Sequence, residues 1–182
     1  EMGFEGLWLT EHHFERGLVA SAPEVILSAI SQRTSKMRLG FAVVLSPIHH
    51  PLHVAAKVAT LDLLSDGRVD LGIGRASSPH QLSPFGVELE DTRGMMFEAL
   101  SMIPRMWTED VFSHDGKYYQ VPPREIVPKP RQKPHPPLWA ACNQEDTSRM
   151  TGDQGLGFIT HGKAGPERVG ALIDVYKEAI KE

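Results

Sequence analysis

Glu11, His12 and His13 follow directly on a short apolar run, Leu7-Trp8-Leu9-Thr10, and are succeeded by Phe14. An imidazole titrates near neutral pH and can give or take a proton in a transition state, so a histidine beside an acid is a candidate for general acid–base chemistry. The position adds weight, because parallel α/β folds place reactive groups at the C-terminal ends of their strands. The ordinary alternative is a histidine that only satisfies a strand end. No metal site is expected from Glu11, His12 and His13, since neighbouring side chains of a strand point to opposite faces and do not converge on one ion.

Comparable groups end other apolar runs. Gly74-Arg75 closes Val69-Asp70-Leu71-Gly72-Ile73-Gly74; a glycine there lets backbone approach a ring, and the guanidinium can meet an anion. Arg93 falls in the first turn of a helix beginning Asp91-Thr92-Arg93, where amide donors and a guanidinium can share one anion; a solvated arginine is the ordinary alternative. Trp139-Ala140-Ala141-Cys142 leads into the polar helix start Asn143-Gln144-Glu145-Asp146-Thr147, in which capping alone would account for Asn143 and Thr147. Cys142 is the only cysteine and has no assignable histidine partner, so it reads as a small buried residue rather than a nucleophile.

The elements that must position these groups alternate. Strands are predicted at 7–10, 39–45, 69–74, 138–141 and 157–159. Helices are predicted from Pro23 with Ser21 as N-cap, over 52–64, from Asp91 to Trp107, over 145–153 and from Pro166 onward. A polar loop is expected over 75–90. Asp115-Gly116 between two apolar-containing arms, 111–119, signals a hairpin, and 121–137 is proline-rich and irregular. Strand–helix alternation implies a parallel sheet with right-handed crossovers. The glycine fingerprint of a dinucleotide site is missing from the first strand–helix turn, and Gly72-Ile73-Gly74-Arg75 has no third glycine at the required position. Two closures fit: a doubly wound open sheet, complete at this length, and a parallel (β/α)8 TIM barrel, which typically needs about 250 residues. The pattern leans slightly towards the barrel, represented by an incomplete piece of about five strand–helix units plus the hairpin and proline-rich insertion.

With 182 residues, 41% hydrophobic content and a formal charge of -4, the chain can bury a sizeable core and has no long basic run, so nucleic acid and anionic membrane are not expected partners. A single cysteine and the lack of a signal-like or membrane-spanning run fit a soluble, cytoplasmic protein. The chain begins in what reads as a helix end and stops inside a helical pattern, Tyr176 to Glu182, so it is expected to be a piece of a longer protein.

The ordered set Glu11-His12-His13-Phe14, Gly40 to Leu45 followed by His50-Pro51, Leu61 to Arg68, Gly72-Ile73-Gly74-Arg75 and Asp91-Thr92-Arg93 resembles the bacterial luciferase-like flavin-dependent monooxygenases over essentially the whole chain. The resemblance implies one luciferase-like (β/α)8 barrel domain over 1–182, truncated at both ends. It implies reduced FMN, or alternatively a deazaflavin, at the C-terminal mouth, and dioxygen-dependent oxidation of a small organic, aldehyde-like or apolar substrate. His12 falls on the family's catalytic histidine. Glu11, Ala42, Gly74, Arg75, Arg93, Gln144 and Thr147 fall on cofactor-binding positions, Arg93 on the phosphate. Near Ala42 some members have a non-proline cis peptide, here Phe41–Ala42. Where members often have a Ser-Pro-Glu-Ser-like segment, this chain has Gln144-Glu145-Asp146-Thr147. The resemblance also implies a separate flavin reductase and a homo- or heterodimer. Two rival functions remain, deazaflavin-dependent hydride transfer and a non-catalytic supporting subunit of a luciferase-like heterodimer.

Overall fold

The computed structural model describes residues 3–17, 20–76 and 78–181. In chain order the elements are β1 (Gly6–Leu9), α1 (Pro23–Ser31), β2 (Arg38–Leu45), α2 (Pro51–Leu64), β3 (Val69–Gly74), α3 (Pro79–Leu82), α4 (Thr92–Thr108), β4 (Phe112–Asp115), β5 (Gln120–Arg124), β6 (Leu138–Ala141), α5 (Glu145–Asp153), β7 (Gly157–Ile159) and α6 (Pro166–Ala179). The reading of a helix end running into a strand covers Glu1 to Gly6, of which Gly6 opens β1 while Glu1 and Met2, like Glu182 at the end of the C-terminal pattern, lie outside the described residues.

β1, β2, β3, β6 and β7 form one five-stranded sheet, all neighbours parallel, in the same order as the chain. A doubly wound sheet reverses its strand order at a switch point; this sheet runs one way, as an arc of a barrel does. The β4–β5 hairpin is a separate antiparallel pair.

One face of the sheet packs on helices. Leu39 and Phe41 of β2 and Val69, Leu71 and Ile73 of β3 are buried in one core with Val54, Ala55, Val58 and Leu61 of α2 and Met96, Leu100, Ile103, Met106 and Trp107 of α4. Both helices present apolar residues at helical spacing to the sheet and to each other. The Trp107 indole donates to the carbonyl of Ala55 at 3.1 Å, satisfying the one polar atom of that ring. On the concave face Trp8 lies over Gly40 and Trp139 over Gly157, in space that a Cβ would fill. The two indoles meet edge to face at 5.4 Å. A glycine on the neighbouring strand is what lets each indole lie flat across the sheet.

Several local expectations are corrected. The N-cap of α1 is Ala22, with no side-chain cap bond, in place of Ser21, while Pro23 occupies the first turn as predicted. α2 begins one residue earlier, at Pro51, because His50 caps it by accepting the Leu52 amide at 3.2 Å on Nδ1. The polar loop contains α3 and a short 3₁₀ turn, Ser83–Phe85. The second hairpin arm is Gln120–Arg124, beyond the expected end at Tyr119 and, from Val121 on, within the stretch predicted to be irregular. The remainder of that stretch is tied to the C-terminal ends of α2 and α4. Asp62 accepts the Gln132 amide and side-chain nitrogen at 2.9 and 2.7 Å, and Lys129 donates to the carbonyls of Met106 and Glu109. The non-proline cis peptide is Ala42–Val43, one residue beyond the implied Phe41–Ala42 bond; the register of β2 on β3 shifts between Phe41 and Val44 at the same place.

Candidate functional site

An open groove of about 320 Å³ lies at the C-terminal ends of the parallel strands. Its wall combines Leu45 of β2, Gly74 of β3 and Ala141 of β6 with Arg75, Ala76, Gln144 and Thr147 from the segments that follow. Val43 also reaches it: its side chain fills the space a Cβ on Gly74 would need. Small residues at 74, 76 and 141 leave a shallow floor between the strand ends.

The electrostatics at one end are cationic. Arg75 Nη1 donates to Thr92 Oγ1 at 3.1 Å, and Thr92 donates to the Leu89 carbonyl at 2.7 Å, which fixes its hydroxyl. Burial, and then the neighbouring charge of Arg93, lower the affinity of the Arg75 guanidinium for its proton. Arg93 donates to Gln144 Oε1 at 2.5 Å and lies 3.3 Å from Asp146 Oδ2. Among the described residues Arg75 has no carboxylate partner, so two adjacent guanidiniums face one exposed acid, an arrangement that favours an added anion. α5 starts beside them with Gln144 as N-cap and no side-chain cap bond, so capping does not occupy Asn143 or Thr147. Asn143 instead accepts from Thr160, and Thr147 is a buried residue of the groove wall.

The structure thus brings Gly74, Arg75, Gln144 and Thr147 together in one groove and puts Arg93 on Gln144 at its edge. Ala42 is placed apart from them, in a depression on the concave face shared with Trp8, Trp139 and Phe158. His12 follows β1 on the same rim. Its side chain is 31% exposed, yet Nδ1 is buried without a hydrogen-bond partner among the described residues, and Glu15 Oε2 lies 3.8 Å away.

Glu11 is 2% exposed and both of its oxygens are engaged within the protein. Oε1 lies 2.7 Å from Nε2 of His13 and 2.7 Å from Nε2 of His49, and Oε2 accepts the Leu45 amide at 2.9 Å. Burial opposes its ionisation, but the hydrogen bonds from His49, His13 and Leu45 outweigh that and hold the carboxyl below its ordinary range. β1 ends at Leu9, so strand alternation does not govern these residues: Glu11 and His13 converge and meet His49 from the segment after β2, while His12 stays outside the cluster. The donor atoms of Glu11, His13 and His49 all lie within 4.8 Å of one another.

Sequence reasoning missed His49, Thr92, Asn143 and His161, the last also lining the groove. For His49 a signal existed. It stands in the histidine pair before Pro51, of which only His50, the helix cap, was singled out.

The parallel sheet carries a small-residue groove with a cationic end at its C-terminal rim, the place where TIM-barrel-type folds bind ligands. The chain matches the luciferase-like monooxygenase family over residues 1–182 and belongs to that family. It is 27% identical over 183 residues to the oxygenase component of the flavin-dependent trigonelline monooxygenase of Acinetobacter baylyi, covering 99% of this chain and 51% of that protein. The crystal structure of monooxygenase RslO1 from Streptomyces bottropensis superposes with a TM-score of 0.93 at 29% identity, covering 98% of this chain and 55% of that one. The coenzyme F420-dependent tetrahydromethanopterin reductase of Methanopyrus kandleri shares the fold, with a TM-score of 0.83 at 19% identity over 98% of this chain and 54% of that one. The chain spans about half the length of the relatives it matches. No helix among the described residues is long and apolar enough to cross a membrane.

Proposed function

We propose that the full protein is a flavin-dependent monooxygenase that uses reduced FMN and dioxygen to oxidise a small organic, aldehyde-like or apolar substrate. The observation that carries this reading is the juxtaposition of Arg75 and Arg93 at one end of a shallow groove floored by Gly74, Ala76 and Ala141. The residues suit FMN. The two guanidiniums hold the phosphate, Gln144 and Thr147 offer polar edges, and the small side chains leave room for a flat ring. Bound there, reduced flavin supplies the electrons that activate dioxygen. Ala42 and the surrounding indoles form an apolar surface on the concave side.

His12 is the acid–base group in this reading. With Nδ1 buried, Nε2 is the ring nitrogen left to give a proton to, or take one from, an oxygen on the substrate side. The five strands described form part of a complete eight-strand barrel, and residues 1–182 are one piece of that single domain. A separate reductase delivers the reduced flavin, as the name "oxygenase component" of the Acinetobacter relative suggests for that enzyme. The protein works in the cytoplasm as a homo- or heterodimer.

The fold shared with an F420-dependent reductase favours one second reading, hydride transfer from a deazaflavin. Titrating the full-length protein anaerobically with reduced FMN and with reduced deazaflavin separates them. Preference for FMN together with oxygen uptake coupled to substrate oxidation supports the monooxygenase; preference for deazaflavin with oxygen-insensitive turnover supports hydride transfer.

A further inference from the structure

We propose that Glu11 is the positioning residue for His12: a carboxylate shared by His13 and His49 closes the segment after β1 on itself and turns the intervening histidine towards the mouth. The inference rests on the reading of His12 as the acid–base group.

The segment is held from several sides. The Glu11 amide donates to the Val43 carbonyl at 3.3 Å and the His12 amide to the Ala20 carbonyl at 3.1 Å. The Glu11 carboxylate then joins three segments, because it reaches His13 in its own strand exit, the Leu45 amide at the end of β2, and His49 beyond it. The His13 ring is further fixed edge to face against Phe85, with centroids 5.3 Å apart. Glu11 and His13 meet at one carboxylate oxygen, whereas the closest carboxylate oxygen described for the His12 ring between them is that of Glu15. Drawing Glu11 and His13 onto one oxygen-centred cluster therefore directs His12 away from that cluster. In contrast to its two neighbours, His12 has no side-chain partner closer than Glu15 at 3.8 Å.

The burial of a charge needs a reason. A carboxylate 2% exposed carries a desolvation cost that an apolar side chain of similar volume would avoid, so stability alone is a weak reason for one here. With both oxygens engaged by protein groups, Glu11 also has little left to offer a ligand directly. Its effect on chemistry runs through the residue it orients.

The test uses the full-length protein with Glu11→Gln, His49→Ala, His12→Ala and the Glu11→Gln/His12→Ala double variant. In the flavin-free protein, Glu11→Gln and His49→Ala are expected to move the ring resonances and inter-residue contacts of His12 in NMR spectra. In turnover, Glu11→Gln is expected to lower the rate about tenfold, to leave FMN affinity within about twofold, and to add nothing to His12→Ala. His49→Ala keeps the test open if Glu11→Gln does not fold. Unchanged His12 resonances in a folded variant, or a rate loss in the His12→Ala background equal to that in the wild type, overturns the proposal. A wild-type protein that binds no flavin sinks the functional reading instead, and the NMR comparison still decides whether Glu11 positions His12.

Discussion

Nε2 of His49 lies 2.7 Å from Oε1 of Glu11, across 38 residues of chain, and joins the segment after β2 to the exit of β1. Burial works against the Glu11 charge, yet its hydrogen-bond partners keep the carboxyl below the usual 4.5. A carboxyl whose folded pKa is depressed contributes stability above the unfolded pKa and loses it as pH falls through the folded value. Glu11→Gln is therefore expected to cost about 1.5–3 kcal/mol near neutral pH. The gap from wild type should narrow below about pH 4.5. Denaturant melts of both proteins at a series of pH values measure this, and a gap that stays constant on acidification would contradict it.

Arg93 and Arg75 give the groove its cationic end, Arg93 holding Gln144 and Asp146 and Arg75 holding Thr92. Loss of a charge-assisted hydrogen bond to phosphate costs on the order of 1.5–3 kcal/mol. Arg93→Ala should thus weaken FMN roughly 10- to 100-fold and leave riboflavin, which has no phosphate, within about twofold. Equal losses for the two ligands in a binding titration would remove the phosphate role.

Two glycines of β3 differ in what confines them. A Cβ on Gly74 meets the side chain of Val43, which can turn, whereas one on Gly72 meets the Phe41 carbonyl, which is backbone, as well as Ile159 and Val43 side chains. Gly74→Ala is expected to cost about 1–3 kcal/mol by overpacking, and Gly72→Ala more than that. Thermal denaturation of the two variants would reverse this order only if the β2–β3 contact were looser than described.

Cys142 is fully buried, with Thr151 Oγ1 3.2 Å from its sulfur, and burial pushes its thiol pKa up. The native protein should react with a disulfide reagent far more slowly than the unfolded protein, by at least about a hundredfold if opening requires a few kcal/mol. Rapid native labelling would mean that the β6–α5 junction opens readily.

Regular elements with strong periodicity were legible from sequence: β6, α5 and β7 fall at the predicted bounds, and the strand ends carrying Glu11, Gly74 and Gln144 were located. What escaped depended on partners distant in the chain. The β5 arm contains Pro122 and Pro123, residues that argue against a strand, yet it pairs with β4 at the edge of a two-stranded sheet where missing amides are tolerated. His49 has no local periodicity to mark it; its role exists only because Glu11 is brought beside it. Ser21 failed as a cap for a similar reason, since the helix takes its first turn from Pro23 and starts one residue later than a capping rule suggests.

The central claim is a flavin-phosphate site at the strand-end groove serving dioxygen chemistry. The most direct measurement is anaerobic titration of the full-length protein with reduced FMN, followed by admission of oxygen in the presence of candidate apolar and aldehyde substrates. The account predicts reduced-FMN binding that Arg93→Ala weakens and oxygen uptake coupled to substrate oxidation that His12→Ala lowers to a small but measurable residual rate. Failure of the full-length protein to bind reduced FMN, or binding indifferent to both Arg75 and Arg93, would contradict it.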